Sequence, residues 1–170
     1  MKKNLILIPL FFISIFSLHA QTEDELITKV RERFNTINSF LDSYESIEKD
    51  IYGESAEGGW MKAYHIDGET VMLHCKFYGE MGNITEYYYY DNSSLFFVFT
   101  IKEIYSAPAY LEESEVVSKE ENRYYFHNKK MIRWLDNDRK KIDKNSKEFK
   151  EKETEILNDA IRMIEVFNEN

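Results

Sequence analysis

The sequence has few of the residues that cross-link or break a chain: one cysteine, two prolines and six glycines among 170 residues. A single cysteine, Cys75, excludes an intramolecular disulfide and a cysteine-rich metal framework. Cys75 alternates in phase with Val71, Leu73 and Phe77, so we interpret it as a small buried hydrophobic residue. A chain of this size can bury roughly two-thirds of the surface that it exposes when unfolded, so the fold needs no disulfide.

Positive charge is also scarce, with 22 basic residues against 31 acidic ones and a formal net charge of −9. A protein that binds nucleic acid needs a basic face that displaces counterions from phosphates. We therefore expect no nucleic-acid partner, and anionic lipid is disfavoured by the same sign. An acidic balance more often keeps an exported domain soluble.

Long apolar runs are absent except for one at the N-terminus. Met1-Lys2-Lys3 is a short basic start, residues 5–18 are apolar, and Ala20 is a small residue at the end of the segment. This order is typical of a signal peptide over residues 1–20, and about 14 apolar residues are fewer than the about 20 that span a membrane. We expect a single periplasmic or secreted domain, residues 21–170, without membrane contact after cleavage; an uncleaved anchor is the alternative.

Two amphipathic segments predict helices at the two ends of this domain. Residues 22–25 have the form of a capping box, and apolar residues recur behind them at helical spacing. This pattern predicts a long helix from about Glu23 to Asp50. A second apolar stripe, from Phe149 to Phe167, predicts a C-terminal helix that begins near either Asp138 or Asn145.

Between the helices, three hairpins rich in aromatic and β-branched residues predict a six-stranded antiparallel meander. Their turns lie at residues 67–68, 91–94 and 127–130, and the first two of these segments consist of turn formers. The first turn would pair Met61 with His74. The predicted fold class is α+β: a long N-terminal helix, a six-stranded sheet and a C-terminal helix.

The central hairpin, residues 83–101, is apolar on both of its faces. If Tyr90 pairs with Leu95, the next pairs are Tyr89 with Phe96 and then Tyr88 with Phe97. An antiparallel hairpin with one face in water would alternate apolar and polar residues. A helix, another chain or a ligand must therefore cover each face, and which of these it is decides the function.

Residues suited to catalysis or metal binding are few. No histidine has a metal-ligand spacing, and no phosphate loop, dinucleotide fingerprint or nucleophile motif occurs, so we expect neither a metal nor a cofactor. Glu86 and Glu103 lie on apolar strands and form the best pair for a carboxylate-dependent hydrolase. Carboxyl groups on opposite faces of the sheet would end that interpretation. A strand-end acid that reaches water is the simpler explanation of Glu86.

Tyrosine suits a surface that is dry on one side and wet on the other, and residues 87–90 are all tyrosine. We therefore interpret the aromatic sheet face as a binding surface for a glycan, a peptide or a protein. The expected contact residues are Tyr87, Tyr89, Phe96 and Trp134. In the competing interpretation, helices cover one face and cross-strand aromatic pairs stabilise the other. A homodimer remains open.

Residues 106–121 form the longest predicted loop and carry Pro108 and a run of acids. An exported inhibitor or immunity-type protein would place Glu112 to Glu121 in a basic cleft, and salt would weaken that association. We rank a non-enzymatic binding domain first, this inhibitor second and the hydrolase third.

Four predicted strand segments carry a resemblance: residues 88–91, 95–98, 123–126 and 131–136. In these segments the chain is similar to small exported proteins of unassigned function from Gram-negative bacteria. The resemblance covers only the predicted sheet and implies no catalytic residue.

Overall fold

The computed structural model describes residues 21–169, and the predicted signal peptide, residues 1–20, lies outside them. Two helices pack on one seven-stranded antiparallel sheet whose strand order follows the sequence. The elements in chain order are α1 (Glu23–Ser39), a 3₁₀ turn (Leu41–Ser43), β1 (Glu45–Ile51), β2 (Gly59–Ile66), β3 (Glu69–Gly79), β4 (Gly82–Asp91), β5 (Ser94–Tyr105), β6 (Val116–His127), β7 (Lys130–Leu135) and α2 (Lys147–Glu169). The α+β class with an N-terminal and a C-terminal helix is confirmed, and the sheet has one strand more than predicted.

The extra strand is β1. The N-terminal helix was predicted to continue to about Asp50, but it ends at Ser39, and most of the remaining residues form β1. The capping box is confirmed, since the backbone N–H of Glu25 donates to the Thr22 hydroxyl and the N–H of Thr22 donates to the Glu25 carboxylate. The spacing of Ile47 and Ile51 fits a helix and a strand equally well, because four residues are about one turn of a helix and also two repeats of a strand. Pairing with β2 buries Ile51 completely and turns this segment into an edge strand.

The three predicted hairpins are confirmed, and all three are built in the same way. Each closes with two residues at positive φ: Asp67-Gly68, Asn92-Ser93 and Asn128-Lys129. Two consecutive residues at positive φ match the right-handed twist of the flanking strands.

Each hairpin also has a β-bulge next to its turn, which the predicted registers lack. The unpaired extra residues are Val71, Phe96 and Ile132. In the central hairpin Tyr90 lies opposite Leu95, as predicted, but the bulge places Tyr89 opposite Phe97. The predicted partners beyond the bulge are therefore wrong by one residue, because a bulge adds a residue to one strand only.

Helix α2 covers one side of the sheet, which we call the α2 face. The Ser146 hydroxyl accepts from the N–H of Phe149 and caps the helix. The buried residues of the helix are Phe149, Ile156, Ala160, Met163 and Phe167, and they pack on buried sheet residues that include Leu73, Tyr88 and Val98. The helix reaches from β7, where Glu153 accepts from the N–H of Met131, to β1, where Lys49 donates to the carbonyl of Phe167.

Helix α1 covers part of the opposite side, the α1 face. Its buried residues Ile27, Val30 and Ile37 pack with sheet residues that include Met72, Tyr89, Phe97 and Tyr125. Arg133 on β7 holds the N-terminus of the helix by two ion pairs, since its Nη2 lies 2.7 Å from Glu23 Oε1 and 2.6 Å from Asp24 Oδ1. The 17 residues of α1 extend about 25 Å, and side chains toward the far ends of β2 to β6 on this face stay partly open.

Candidate binding surface

A row of stacked side chains crosses the part of the α1 face that the helix leaves open. It runs over five adjacent strands, β2 to β6, and its members are Trp60, His74, Tyr87, Phe99 and Arg123. The strand register positions them, since His74 lies opposite Tyr87, Tyr87 opposite Phe99 and Phe99 opposite Arg123. All five residues are partly buried. We call this set the stacked row.

The rings of the stacked row lie within contact distance of each other. Centroid distances are 4.6 Å for Trp60 to His74, 4.2 Å for His74 to Tyr87 and 5.9 Å for Tyr87 to Phe99. The last two pairs are stacked, with interplanar angles of 25° and 18°, and the Arg123 guanidinium lies 4.7 Å from the Phe99 centroid. The rings of His74, Tyr87 and Phe99 are therefore nearly parallel, and their faces are turned toward each other along the row.

Two lysines flank the row on the same face. Lys62 lies opposite His74, and Lys76 is two residues further along β3. Burial and then the charges of Lys76 and Lys62 lower the pKa of His74 to about 4, so the ring is neutral at pH 7 and adds no charge to the row. Lys62 lies 3.9 Å from Glu48, and the Lys76 ammonium lies 5.6 Å from the Tyr78 ring centroid.

A cleft of about 240 Å³ opens beside Arg123, between α1 and the sheet, and we call it the α1 cleft. Its apolar walls are Val30, Phe34, Phe97 and Tyr125, and its polar lining is Arg31, Asn35 and Arg123. One arm of Arg123, Nη2, donates to Glu121 at 2.6 Å, while the other, Nη1, is buried without a hydrogen-bond partner. The stacked row and the cleft therefore share Arg123.

The four predicted contact residues occupy different environments. Tyr87 lies in the stacked row. Tyr89 is 3 % exposed beneath α1, where its hydroxyl donates to the Asn38 amide oxygen. Trp134 is 6 % exposed beneath α2, and Phe96 is the partly buried bulge residue beside Tyr89. The structure therefore places Tyr89 and Trp134 in the core, where the chain's own helices cover them.

The sequence interpretation missed four members of the stacked row. The predicted register, which has no bulge, pairs His74 with Met61. In the structure Lys62 lies opposite His74, and Trp60 is therefore on the same face of the sheet as His74. The same one-residue shift places Phe99 opposite Tyr87. A large side chain at alternate positions of neighbouring strands is the signal that could have found the row, but it requires the bulges to be known.

The predicted catalytic pair does not form. Glu86 is on the α2 face, where the Tyr88 hydroxyl donates to its carboxylate at 2.5 Å. Glu103 is opposite Asn83 and accepts from its side-chain amide on the α1 face. Because Asn83 and Glu86 are three residues apart on one strand, their side chains point to opposite faces. The prediction that Glu86 and Glu103 flank one scissile bond is therefore wrong.

Glu86 predicts an unusual dependence of stability on pH. Burial raises the pKa of Glu86 above its ordinary value of 4.5, and the Asp159 and Glu155 carboxylates raise it further, although Tyr88 and Arg162 oppose them. The folded protein then holds a proton that the unfolded chain releases, so this stabilisation is complete below pH 4.5 and is lost as pH rises through the folded pKa. We expect Glu86→Gln to remove that loss, measured by urea denaturation from pH 4.5 upward.

Tyr88→Phe provides the matched comparison for Glu86→Gln. It removes the hydroxyl that donates to the Glu86 carboxylate, which favours the ionised form. The loss of stability should therefore begin near the same pH, 4.5, but continue to a higher pH than in the unaltered protein. An unchanged pH slope in Glu86→Gln would contradict the assignment.

The predicted acidic loop is shorter than expected. The segment between strands is residues 106–115, and Glu120 and Glu121 belong to β6. The loop is fixed by hydrogen bonds, because the N–H of Ala109 donates to the carbonyl of Glu80 and the Ser114 hydroxyl donates to the carbonyl of Ala107.

Comparison with known proteins finds no family model, no curated protein and no solved structure that matches this chain. Within residues 21–169, no helix has the length and apolar character needed to cross a membrane. In the same part of the chain, no three His, Cys, Asp or Glu side chains are grouped so that they could hold a metal ion.

Proposed function

We propose that this protein is an exported, non-enzymatic domain that binds an extended peptide segment of a partner through the stacked row. The observation that carries the proposal is the row itself: five side chains in contact across five strands and left partly open beside α1. Tryptophan, tyrosine and arginine are the side chains that dominate binding energy at protein interfaces. Three of the five members, Trp60, Tyr87 and Arg123, are of these types.

The orientation of the rings favours a peptide over a glycan. A sugar binds an aromatic side chain by lying on the ring face, but the central faces of the row contact each other. An aromatic ring carries partial negative charge on its face and partial positive charge at its edge. Ring edges attract the carbonyl and carboxylate oxygens of a peptide, and the ammonium groups of Lys62 and Lys76 beside the row have the same preference.

The row is also ordered before any ligand binds. Each aromatic pair contributes about 0.5–1.5 kcal/mol beyond area burial, and Arg123 is held by both Phe99 and Glu121. Binding to side chains that are already fixed avoids about 0.5–1.5 kcal/mol of ordering cost for each one. This preorganisation supports a recognition role.

The proposal predicts that the double variant Tyr87→Ala with Phe99→Ala loses peptide binding. The probes are a library of displayed random dodecapeptides and a glycan array, both screened with the unaltered protein. Truncating central interface aromatics costs about 2 kcal/mol or more, so the selected peptides should bind the double variant at least about 30-fold more weakly. Titration calorimetry measures the change, and circular dichroism checks that the variant is folded.

Tyr110→Ala is the matched control for this double variant. Tyr110 is 76 % exposed and lies outside the row, so its removal should change affinity less than about twofold. Selection of glycans without peptides would overturn the proposal. Peptides that bind the double variant as tightly as the unaltered protein would overturn it equally.

A second candidate function is an inhibitor or immunity-type protein that acts through the loop at residues 106–115. The loop exposes Tyr110 and Leu111 directly before two exposed acids, Glu112 and Glu113. A fixed loop with this composition would fit a basic cleft that has an apolar floor. In that case Glu112→Lys with Glu113→Lys should abolish association and salt should weaken it, whereas Tyr87→Ala should leave it unchanged.

A further inference from the structure

The α1 cleft combines positive charge with apolar walls. Two guanidinium groups, Arg31 and Arg123, and the Asn35 amide line it, and none of its lining residues is acidic. Glu121 neutralises Arg123 only through Nη2. Arg31 is exposed, and among the described residues no carboxylate lies within ion-pair distance of it. The cleft is therefore suited to a negatively charged group.

The unpaired arm of Arg123 strengthens this inference. Its Nη1 atom is buried and has no hydrogen-bond partner in the protein. A buried donor without an acceptor destabilises the protein, and hydrogen bonds between charged groups are the strong ones. A carboxylate oxygen in the cleft that draws the guanidinium toward it would give this donor an acceptor while Nη2 stays bonded to Glu121.

The size and the walls of the cleft limit what the negatively charged group is attached to. Its volume of about 240 Å³ is smaller than the about 300–1,000 Å³ of pockets for drug-sized ligands, so it suits one residue. Phe34, Phe97 and Tyr125 require an apolar side chain beside the carboxylate. The last residue of a peptide has both groups on one Cα atom, whereas an internal Glu or Asp supplies only the carboxylate.

We propose that the α1 cleft binds the free C-terminal carboxylate of the partner peptide and its last, apolar side chain. This inference rests on the proposed function, because the preceding residues of the peptide would follow the stacked row from Arg123 toward Trp60. Capture of a terminal carboxylate is a recurring mode of peptide recognition. The partner is thus a protein whose C-terminus is accessible and ends in an apolar residue.

The test uses a peptide selected on the full protein and synthesised in three forms: with a free C-terminus, with a C-terminal amide, and as an amide with Glu as its last residue. The free acid should bind about tenfold or more tightly than either amide, because only the acid supplies both groups. Arg31→Gln should remove most of this difference while leaving the affinity of the amide unchanged. Arg139→Gln, at an exposed turn position, is the matched control and should keep the difference.

The outcomes separate this inference from the proposed function. If acid and amide bind equally and both depend on Tyr87 and Phe99, the cleft assignment is wrong and the binding function stands. Equal binding of the acid and the Glu-terminated amide would overturn the choice of a terminal carboxylate. An equal loss for acid and amide in Arg31→Gln would also overturn it. If no peptide depends on Tyr87 and Phe99, the proposed function fails and the inference fails with it.

Discussion

Trp134→Ala is expected to lower the free energy of unfolding by about 3–5 kcal/mol. Trp134 is 6 % exposed between the sheet and α2, its ring centroid lies 5.5 Å from that of Tyr124, and its indole N–H donates to Asn122 at 2.9 Å. Alanine would leave a cavity against Tyr124 and an acceptor on Asn122 without its donor. Urea denaturation measures the change.

Tyr87→Ala is the comparison variant, because it truncates an aromatic residue that the helices do not fully cover. Tyr87 is partly open, and alanine removes its ring contacts with His74 and Phe99 and its partial packing on the core, so we expect a cost of about 1–2 kcal/mol. Trp134 would then be a structural residue and Tyr87 a surface residue. A cost for Trp134→Ala no greater than that for Tyr87→Ala would contradict the packing of α2 on this face.

The second large effect is expected from the double variant Glu23→Gln with Asp24→Asn. Arg133 is 7 % exposed, and these two acids are its charged partners. Removing both charges leaves the largely buried Arg133 without an anionic partner. A fully buried pair would cost about 3–5 kcal/mol, and because the Asp24 carboxylate is exposed we expect about 2–3 kcal/mol. Burial alone would raise the pKa of Glu23, but Lys144 and Arg133 lower it to about 2. The stabilisation from Glu23 is therefore present above pH 4.5 and is lost as pH falls toward 2.

Adding Arg133→Met to this double variant should recover most of the lost stability. The apolar side chain removes the buried charge, and replacing a whole buried ion pair by apolar residues is often neutral or stabilising. Urea denaturation at pH 7 of the double variant, of Arg133→Met alone and of the triple variant completes the cycle. A triple variant that is as unstable as the double variant would show that the acids act on the helix N-terminus rather than on Arg133.

Much of the fold follows from local signals in the sequence. The capping box at residues 22–25 fixes the start of α1, and Asp67-Gly68 fixes a turn, because both patterns satisfy backbone requirements locally. The end of α1 was not predictable in this way, since Ile47 and Ile51 fit either a helix or a strand. Only pairing with β2, whose partner residues lie 8 to 20 positions further along the chain, makes this segment a strand.

The candidate site was less predictable for a related reason. A one-residue slip in strand register exchanges the two faces of a sheet, so the bulges at Val71 and Phe96 decide which residues stack with Tyr87. The burial of Tyr89 and Trp134 depends in turn on where α1 and α2 cross the sheet, which is a property of tertiary packing. Aromatic composition indicated that a sheet face is used, but it did not indicate which half of the face is open.

Mapping the bound peptide on the protein tests the central claim most directly. We would titrate isotope-labelled protein with the tightest selected dodecapeptide and follow the amide and side-chain resonances by nuclear magnetic resonance. The proposed function predicts that the largest shifts occur along the stacked row, at His74, Tyr87 and Phe99. Largest shifts in the loop at residues 106–115 or on the outer surface of α2, with the row unchanged, would contradict it.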